Sequence, residues 1–482
     1  MQIPQPSVRV LTTAVLALLC APVSPLASAT ERPRLFVLTD IENEPDDAQS
    51  LVRLLVHSSQ YDIEGLVATT SVWLPDRTAP ERIRKIVDAY GLVRDQLAKH
   101  EEGFPTREAL ERVISSGLPV YGMQGVGEGK DSSGSEALIA AVDRQDSRPL
   151  WVTAWGGTNV LAQALWKVSR SRSNAQLAQF VGKLRVYAIS DQDDAGPWIR
   201  EQFPDLFYIV SPGYEENEGG GYHYATWTGI SGDRFHGRFD GADFSLVTNE
   251  WLQENIIENH GPLGAEYPRW EYLMEGDTPS FLYLFPNGLG VREHPDFGSW
   301  GGRYEYYTPH TRPWYRRAET RPIWTNAVDE VIGIDGQPHN DIYATIWRWR
   351  SAYQKEFAAR MDWSVREPAD ANHPPIARLA HPAQLRCRAG DTVSLSARGS
   401  SDPDGDALSY RWFVYREAGT YMGQPELRDA DRAEASIAIP KAQVRAGKLP
   451  AEPKTLHVIL EVTDQGSPSL TRYQRVILTI AP

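Results

Sequence analysis

Asp40, Glu42, Glu44, Asp46 and Asp47 crowd into a single segment, Thr39-Asp-Ile-Glu-Asn-Glu-Pro-Asp-Asp-Ala48. So many neighbouring carboxylates repel one another unless a cation or protons compensate. Carboxylate oxygens are hard ligands of the kind that suit Ca²⁺, which takes six to eight of them. The alternative is a solvated acidic loop in which the positive end of a helix favours Asp46 and Asp47. The cluster by itself leaves both readings open.

Other side chains with chemistry to offer are more scattered. Asp191, Asp193 and Asp194 follow Ser190 and could contact a substrate, or simply form a polar loop. His223, His236 and His260 titrate in the right range for a leaving-group acid. A satisfied structural histidine is the preferred reading of each. Trp155, Trp198, Trp227, Trp300 and Tyr304 stand near Gly-rich turns and could stack on sugar faces, though most large aromatics fill cores. Arg303 could pair with an acidic sugar or with Glu305. Asp402, Asp404 and Asp406 look like part of a calcium loop, but no Glu follows at the distance such a loop needs, so a turn is preferred.

The elements that must hold these residues alternate. Leu35–Thr39, Ile63–Thr70, Leu150–Ala154, Leu184–Ser190 and Phe207–Val210 read as buried strands, and Ala48–Ser58, Arg82–Leu97 and Val160–Val168 as helices. That alternation predicts an α/β fold with a mostly parallel sheet and helices on both faces. Ligands of such sheets bind beyond the carboxyl ends of the strands, which is where the acids from Asp40 and from Asp191 fall. Gly219 to Tyr315 is dense in Gly, Pro and aromatics and predicts long loops around a site. Ile342–Arg360 reads as a helix packed on the body.

After the linker Asn372-His-Pro-Pro375 the pattern changes to a period near two, over Thr392–Ser396, Ala407–Tyr415, Ala435–Ile439, Leu456–Val462 and Arg472–Ile480. This predicts an Ig-like β-sandwich of about seven short strands. Its turn, Ser401-Asp-Pro-Asp-Gly-Asp406, resembles that of PKD- and cadherin-like modules. The expected organisation is an export segment over 1–29, a main domain over 30–370 and a sandwich over 371–482. A chain ending near Asp370 is expected to fold by itself.

A chain of 482 residues exceeds one ordinary core, since single cores stop growing at roughly 250–300 residues. A net charge of -14 disfavours nucleic acid as a partner. Arg9, the apolar run Val10–Leu19 and Ala27-Ser28-Ala29 predict a signal peptide cleaved after Ala29, and hence a secreted or periplasmic protein. Leu19 before Cys20 argues against lipidation. Cleavage leaves Cys387 alone, without a disulfide partner. No other stretch is apolar over a length that spans a membrane.

The acidic loop resembles that of the nucleoside hydrolases, whose first strand runs into an Asp-rich segment ending Asp-Asp-Ala at a helix start. Ile63–Thr70, Gly157-Thr-Asn159 and Gly276-Asp-Thr-Pro-Ser-Phe281 resemble later segments of that family in the right order. Asn43–Asp47, His260–Gly264, Glu275–Pro279 and Gly298–Gly302 resemble signatures of its secreted bacterial, cellulose-binding branch. The resemblance implies a calcium-dependent hydrolase of N- or O-glycosidic bonds. Asp47, Asp277, a carbonyl near Ala154 and Glu42 would hold Ca²⁺, and Asp46 would hold vicinal sugar hydroxyls. Glu42 would activate the water, with Asp40 as the fallback base. Asn249 and Glu250 would fill the family's later sugar-binding loop, while Asp191 and Trp300 are candidate substrate contacts from their places at a strand end and a Gly-rich turn rather than from the resemblance. Two departures stand out: Glu42 where the family has Asp, and Glu44 where it has Gly.

Such bonds break through an oxocarbenium-like state. A water acidified by a cation and deprotonated by a carboxylate can attack the sugar carbon, and fixing the sugar hydroxyls contributes orientation. Export favours a plant-wall or related glycan over intracellular nucleosides. A secreted nucleosidase and a non-catalytic glycan-binding protein that keeps the calcium pocket are the competing functions.

Overall fold

The computed structural model describes residues 31–212, 222–232, 239–309, 319–441 and 452–481. The expected export segment lies outside them. So do His236 and the side chain of His223. Strands β1 (Arg34–Thr39), β2 (Asp62–Ala68), β3 (Ile114–Ser116), β4 (Leu150–Ala154), β5 (Leu184–Ala188), β6 (Phe207–Val210), β7 (Tyr304–Tyr307) and β8 (Ile323–Asn326) form one sheet in the order β3-β2-β1-β4-β5-β6-β8-β7. All neighbours are parallel except the edge pair β7–β8.

The helices α1 (Pro45–Val56), α2 (Pro80–His100), α3 (Ser133–Asp143), α4 (Asn159–Ser171) and α5 (Ala195–Gln202) are the crossovers such a sheet requires. β1 shows the two-sided burial directly. Leu35 and Val37 join a core containing Leu51 and Leu55 of α1 and Ile83 and Val87 of α2. Phe36 and Leu38 join a second core containing Leu138 of α3 and Leu161 and Leu165 of α4. Successive side chains of a strand point to opposite faces, so an unbroken apolar run is what a doubly covered strand needs. At Gly65 of β2 an added Cβ would stand 2.3 Å from the Phe36 ring, so the strand pair closes only around a residue without one.

The Gly-rich region holds short helices and loops, among them α6 (Thr278–Leu282), followed by the hairpin β9 (Asp329–Ile332) and β10 (Pro338–Asp341) and the long helix α7 (Arg350–Trp363). The tail folds as a sandwich of two sheets. β11 (Gln384–Arg388), β17 (Thr471–Ala481), β16 (Lys454–Asp464) and β13 (Leu408–Tyr415) form one, in that order. β12 (Thr392–Ser396), β15 (Glu434–Ala438) and β14 (Glu426–Arg428) form the other. The pairs are antiparallel apart from β11–β17.

The linker does not isolate this sandwich. Val458 and Leu460 of β16 face its own core. Ile459 between them, with Tyr415 and Tyr473, joins the core of the main body. Trp300 stacks on Phe285 at 5.1 Å and meets the Tyr473 ring edge-on. Arg475 donates to the carbonyls of Leu289, at 2.8 Å, and Phe297, at 2.9 Å, and Arg472 pairs with Glu356 of α7 at 2.8 Å. Residues 32–482 accordingly cluster as one compact unit.

Candidate functional site

The sheet delivers its acids where parallel sheets bind ligands, beyond the carboxyl end of β1. Asp40 follows that strand directly, and Asp46 and Asp47 occupy the first turn of α1. Asp277 arrives from the far end of the main body, immediately before α6. Oxygens of Asp46, Asp47 and Asp277 lie within 4.8 Å of one another, and all three residues are buried. Two ligands of one Ca²⁺, each bonded at about 2.3–2.6 Å, cannot be more than about 5 Å apart, so the spacing suits a shared cation.

Backbone contacts bring the carboxylates this close. At Gly276 an added Cβ would stand 2.9 Å from Asp46 Oδ2, and at Gly156 it would stand 2.5 Å from Asp40 Oδ1. Asp46 Oδ1 accepts the Asp47 N–H at 2.9 Å, and the Thr39 hydroxyl donates to Asp47. Asp277 is fixed by its neighbour Glu275, which adopts a positive φ of 53°. Glu275 pairs with Arg53 of α1 at 2.6 Å and accepts from Tyr267 at 2.6 Å and Thr278 at 2.9 Å. Its N–H donates to Gln49 of α1 at 3.0 Å. This buried Arg53–Glu275 clamp, which ties the late loop to the first helix, is absent from the sequence reading. Its signal was a charged residue inside the apolar run Leu51-Val-Arg-Leu-Leu-Val56.

The electrostatics are those of crowded, buried carboxylates. Burial raises the Asp40 carboxyl to about 6. Burial and the Asp40 charge raise Asp46 to about 7. Asp47 and Asp277 are pushed well above the ordinary range, first by burial and then by the neighbouring carboxylates. Asp40 Oδ2 and Asp277 Oδ2 are buried without a hydrogen-bond partner. An orphaned buried carboxylate oxygen is costly unless something positive meets it.

A family described as cellulose-binding Sde182, nucleoside hydrolase-like domain, matches residues 34–304, and the C-terminal domain of cellulose-binding protein Sde0182 matches residues 392–480. The chain belongs to this family. Among solved structures, the chain is 36% identical, over 94% of its length and 100% of the other, to a protein of Saccharophagus degradans, with a TM-score of 0.76. That protein is described as nucleoside hydrolase-related and associated with carbohydrate metabolism. The effector protein XOO4466 is 9% identical over 70% of this chain and 95% of its own, with a TM-score of 0.37, which is too weak a likeness to carry an argument. No curated protein matches the chain.

The remaining expected site residues fare unevenly. Glu42 is exposed, adopts a positive φ of 77° and pairs with Arg82 at 3.2 Å, so it does not stand with the buried acids as ligand or base. The Ala154 carbonyl accepts the Ile189 N–H at 3.1 Å within the sheet. Asp191 is spent on a two-pronged pair with Arg200, at 2.8 and 2.7 Å. Asn249 uses both ends of its amide on the Trp270 backbone, and Glu250 lies exposed near Arg269. Trp300 is buried between the main body and the sandwich, where no sugar can reach its face.

The weaker candidates also find structural work. Asp193 accepts from Thr158, Asn159 N–H and Ala195 N–H, and Asp194 from Met123 N–H. His260 lies 3.2 Å from Asp362. Trp155 and Tyr304 are buried, Trp198 packs on Phe203, and Arg303 pairs with Asp329 and Glu305. Trp227 is different. It packs beside Gly276, contacts Tyr222 at 5.2 Å, and Tyr222 in turn contacts Trp73 at 6.2 Å. Trp73 is 44% exposed, so this aromatic run leads from the surface to the acids. Trp73 follows β2 in a loop whose sequence carries no sugar-binding pattern, and sequence reasoning passed over it. Among the described residues no helix is long and apolar enough to cross a membrane.

Proposed function

We propose that this chain is an exported, calcium-dependent glycoside hydrolase of nucleoside-hydrolase type that acts on a plant-wall or related glycan. The observation that carries the reading is the buried group of Asp46, Asp47 and Asp277, with Asp40 beside it and two of its oxygens unpartnered. Asp47 and Asp277, with Asp46, are the residues that would hold Ca²⁺. Bound there, the ion supplies a fixed positive charge that orients sugar hydroxyls and makes a nearby water more acidic.

Asp40 is assigned as the base that takes the proton from the attacking water. Its carboxyl is buried beside the cluster with Oδ2 unpartnered, so that oxygen has no competing donor and is left to accept a proton. Glu42, the alternative base, is held at the surface by Arg82. Asp46 presents its charge to the sugar from the helix start, and Trp73 and Tyr222 offer the aromatic surface on which a sugar chain would lie.

The test is release of reducing sugar from a panel of cellulose- and hemicellulose-derived oligosaccharides, with and without chelator. Calcium-dependent release is expected. One specific observation favours a second reading, a glycan-binding protein without catalysis: the loop residue that should activate water is turned to Arg82, in a family described as cellulose-binding. Retained glycan binding with no release on any substrate would replace the first reading with the second.

A further inference from the structure

β7 and β8 close the main sheet as an antiparallel edge pair in which Tyr306 stands opposite Trp324. Their rings are 5.2 Å apart, and Trp324 lies 6.2 Å from Phe207 of β6. Phe207 in turn meets Trp151 of β4 edge-on at 5.6 Å. The four rings make one row across the strands. The row is buried at Trp151, half-buried at Phe207 and Trp324, and 58% exposed at Tyr306. A cross-strand aromatic pair can simply stabilise two strands, but that role gives no reason to leave the outermost ring in water.

The row is remote from the acids. Phe207 is the first residue of β6 and stands level, strand by strand, with Arg185, Trp151 and Leu35. Asp40 follows the other end of β1. At about 3.3 Å per residue and about 4.8 Å per strand, Phe207 and Asp40 are roughly 20 Å apart, at opposite ends of the sheet. A cavity of about 340 Å³ is lined by Phe207, Trp324 and Tyr306 together with Asp205 and Arg321.

The charges around the rings cancel. Arg185, which lies over Phe207, pairs with Glu293 at 2.8 Å. Arg200 pairs with Asp191 and Glu319. Arg321, which donates to the Arg200 carbonyl, and Asp205 are one of each sign. Such a surface has no excess charge with which to draw an anion or a cation, and its apolar area is almost wholly aromatic.

We propose that Tyr306, Trp324 and Phe207 form a second carbohydrate-binding surface, separate from the acids, for a neutral glycan whose sugars carry equatorial hydroxyls. This takes its ligand class, but not the catalysis, from the proposed function. Sugars of that kind present C–H groups on both ring faces, which pack on aromatic faces, and their hydroxyls meet polar tips such as the Tyr306 hydroxyl and the Trp324 indole N–H. Each such contact is weak. A second point of attachment keeps the polymer at high local concentration beside the acids.

Adsorption of the full-length chain to insoluble cellulose, measured as depletion isotherms in chelator so that no cleavage intervenes, tests the surface. Tyr306→Ala should weaken adsorption at least fivefold with an unchanged melting temperature, since the ring is mostly in water. Tyr306→Phe keeps the ring and should stay within about twofold of wild type, on the scale of a single lost hydrogen bond. Tyr306→Ala with Trp324→Ala should weaken adsorption further. A wild type that does not adsorb, or variants that adsorb like it, would overturn the surface. So would a change from dimer to monomer on sedimentation of Tyr306→Ala with adsorption unchanged, which would give the row to a second copy of the chain. If only the hydrolase reading fails, no protein releases reducing sugar and the isotherms still separate, so the two failures are distinguishable.

Discussion

The Glu42 carboxylate lies 3.2 Å from Arg82 Nε at the protein surface, while Asp40, two residues earlier in the same loop, is buried with one oxygen unpartnered. The positive φ of Glu42 turns its backbone through the tight bend that separates them. Catalytic loss should follow burial here. Asp40→Asn is expected to lower turnover on a cleaved glycan by roughly 100-fold or more, the scale of a lost general base. Glu42→Gln should stay within about threefold, since an exposed ion pair is worth about 1 kcal/mol or less. Steady-state kinetics of both variants decide it, and a dead Glu42→Gln with an active Asp40→Asn would reverse the assignment.

Asp277→Asn should separate metal binding from folding. In calcium the variant is expected to bind the ion at least tenfold more weakly and to melt lower than wild type, because binding to the native state alone stabilises it. In chelator it should melt higher, because one of several repelling buried charges is gone. Calorimetry in both conditions reads the crossover. Equal shifts in the two would mean that Asp277 is only structural.

Calcium-stripped protein should lose stability as pH rises. Asp40 and Asp46 are raised from 3.8 to about 6 and about 7 in the fold. Between the unfolded and folded values the native state binds more protons than the unfolded one, so stability falls with rising pH. The decline should begin near pH 4 and continue to at least about pH 7, since Asp47 and Asp277 are raised as well. Melting temperatures in chelator should fall by several degrees over that window, and saturating calcium should abolish the decline. A flat profile in chelator would contradict the buried acidic pocket.

The shared core predicts that the sandwich cannot be removed without cost. Ending the chain near Asp370 would expose Trp300 and Trp349, which now pack against Tyr473, Trp349 also against Tyr415. The truncated chain is expected to be poorly soluble or to melt far below the whole. In the full chain Trp300→Ala should cost about 3–5 kcal/mol. A truncated form that melts cooperatively near the wild-type temperature would refute this.

Trp73→Ala should weaken glycan binding without touching calcium. The ring lies outside the acidic group and contacts Tyr222, and a lost aromatic contact is worth about 1 kcal/mol, roughly fivefold in affinity. Affinity electrophoresis on soluble cellulose derivatives, beside calcium titration, separates the two effects.

Periodicity alone determined a good deal of this protein. Short unbroken apolar runs such as Leu35–Leu38, ending in acids, read as strands covered on both faces, and the alternation after Thr392 reads as half-buried sheet. From those the sheet's carboxyl edge follows, and with it the position of Asp40, Asp46 and Asp47. These are local properties, readable over a few residues. Direction and partnership are not local. Glu42 and Asp40 have the same chemistry and nearly the same position in the chain, and only the bend between them and the distant Arg82 sent one to the surface. Trp300 reads as a sugar platform until Tyr473, far down the chain, covers it. Each of these outcomes depends on which remote residue packs against a given side chain, and that is settled by the closing of the tertiary structure rather than by any pattern along the chain.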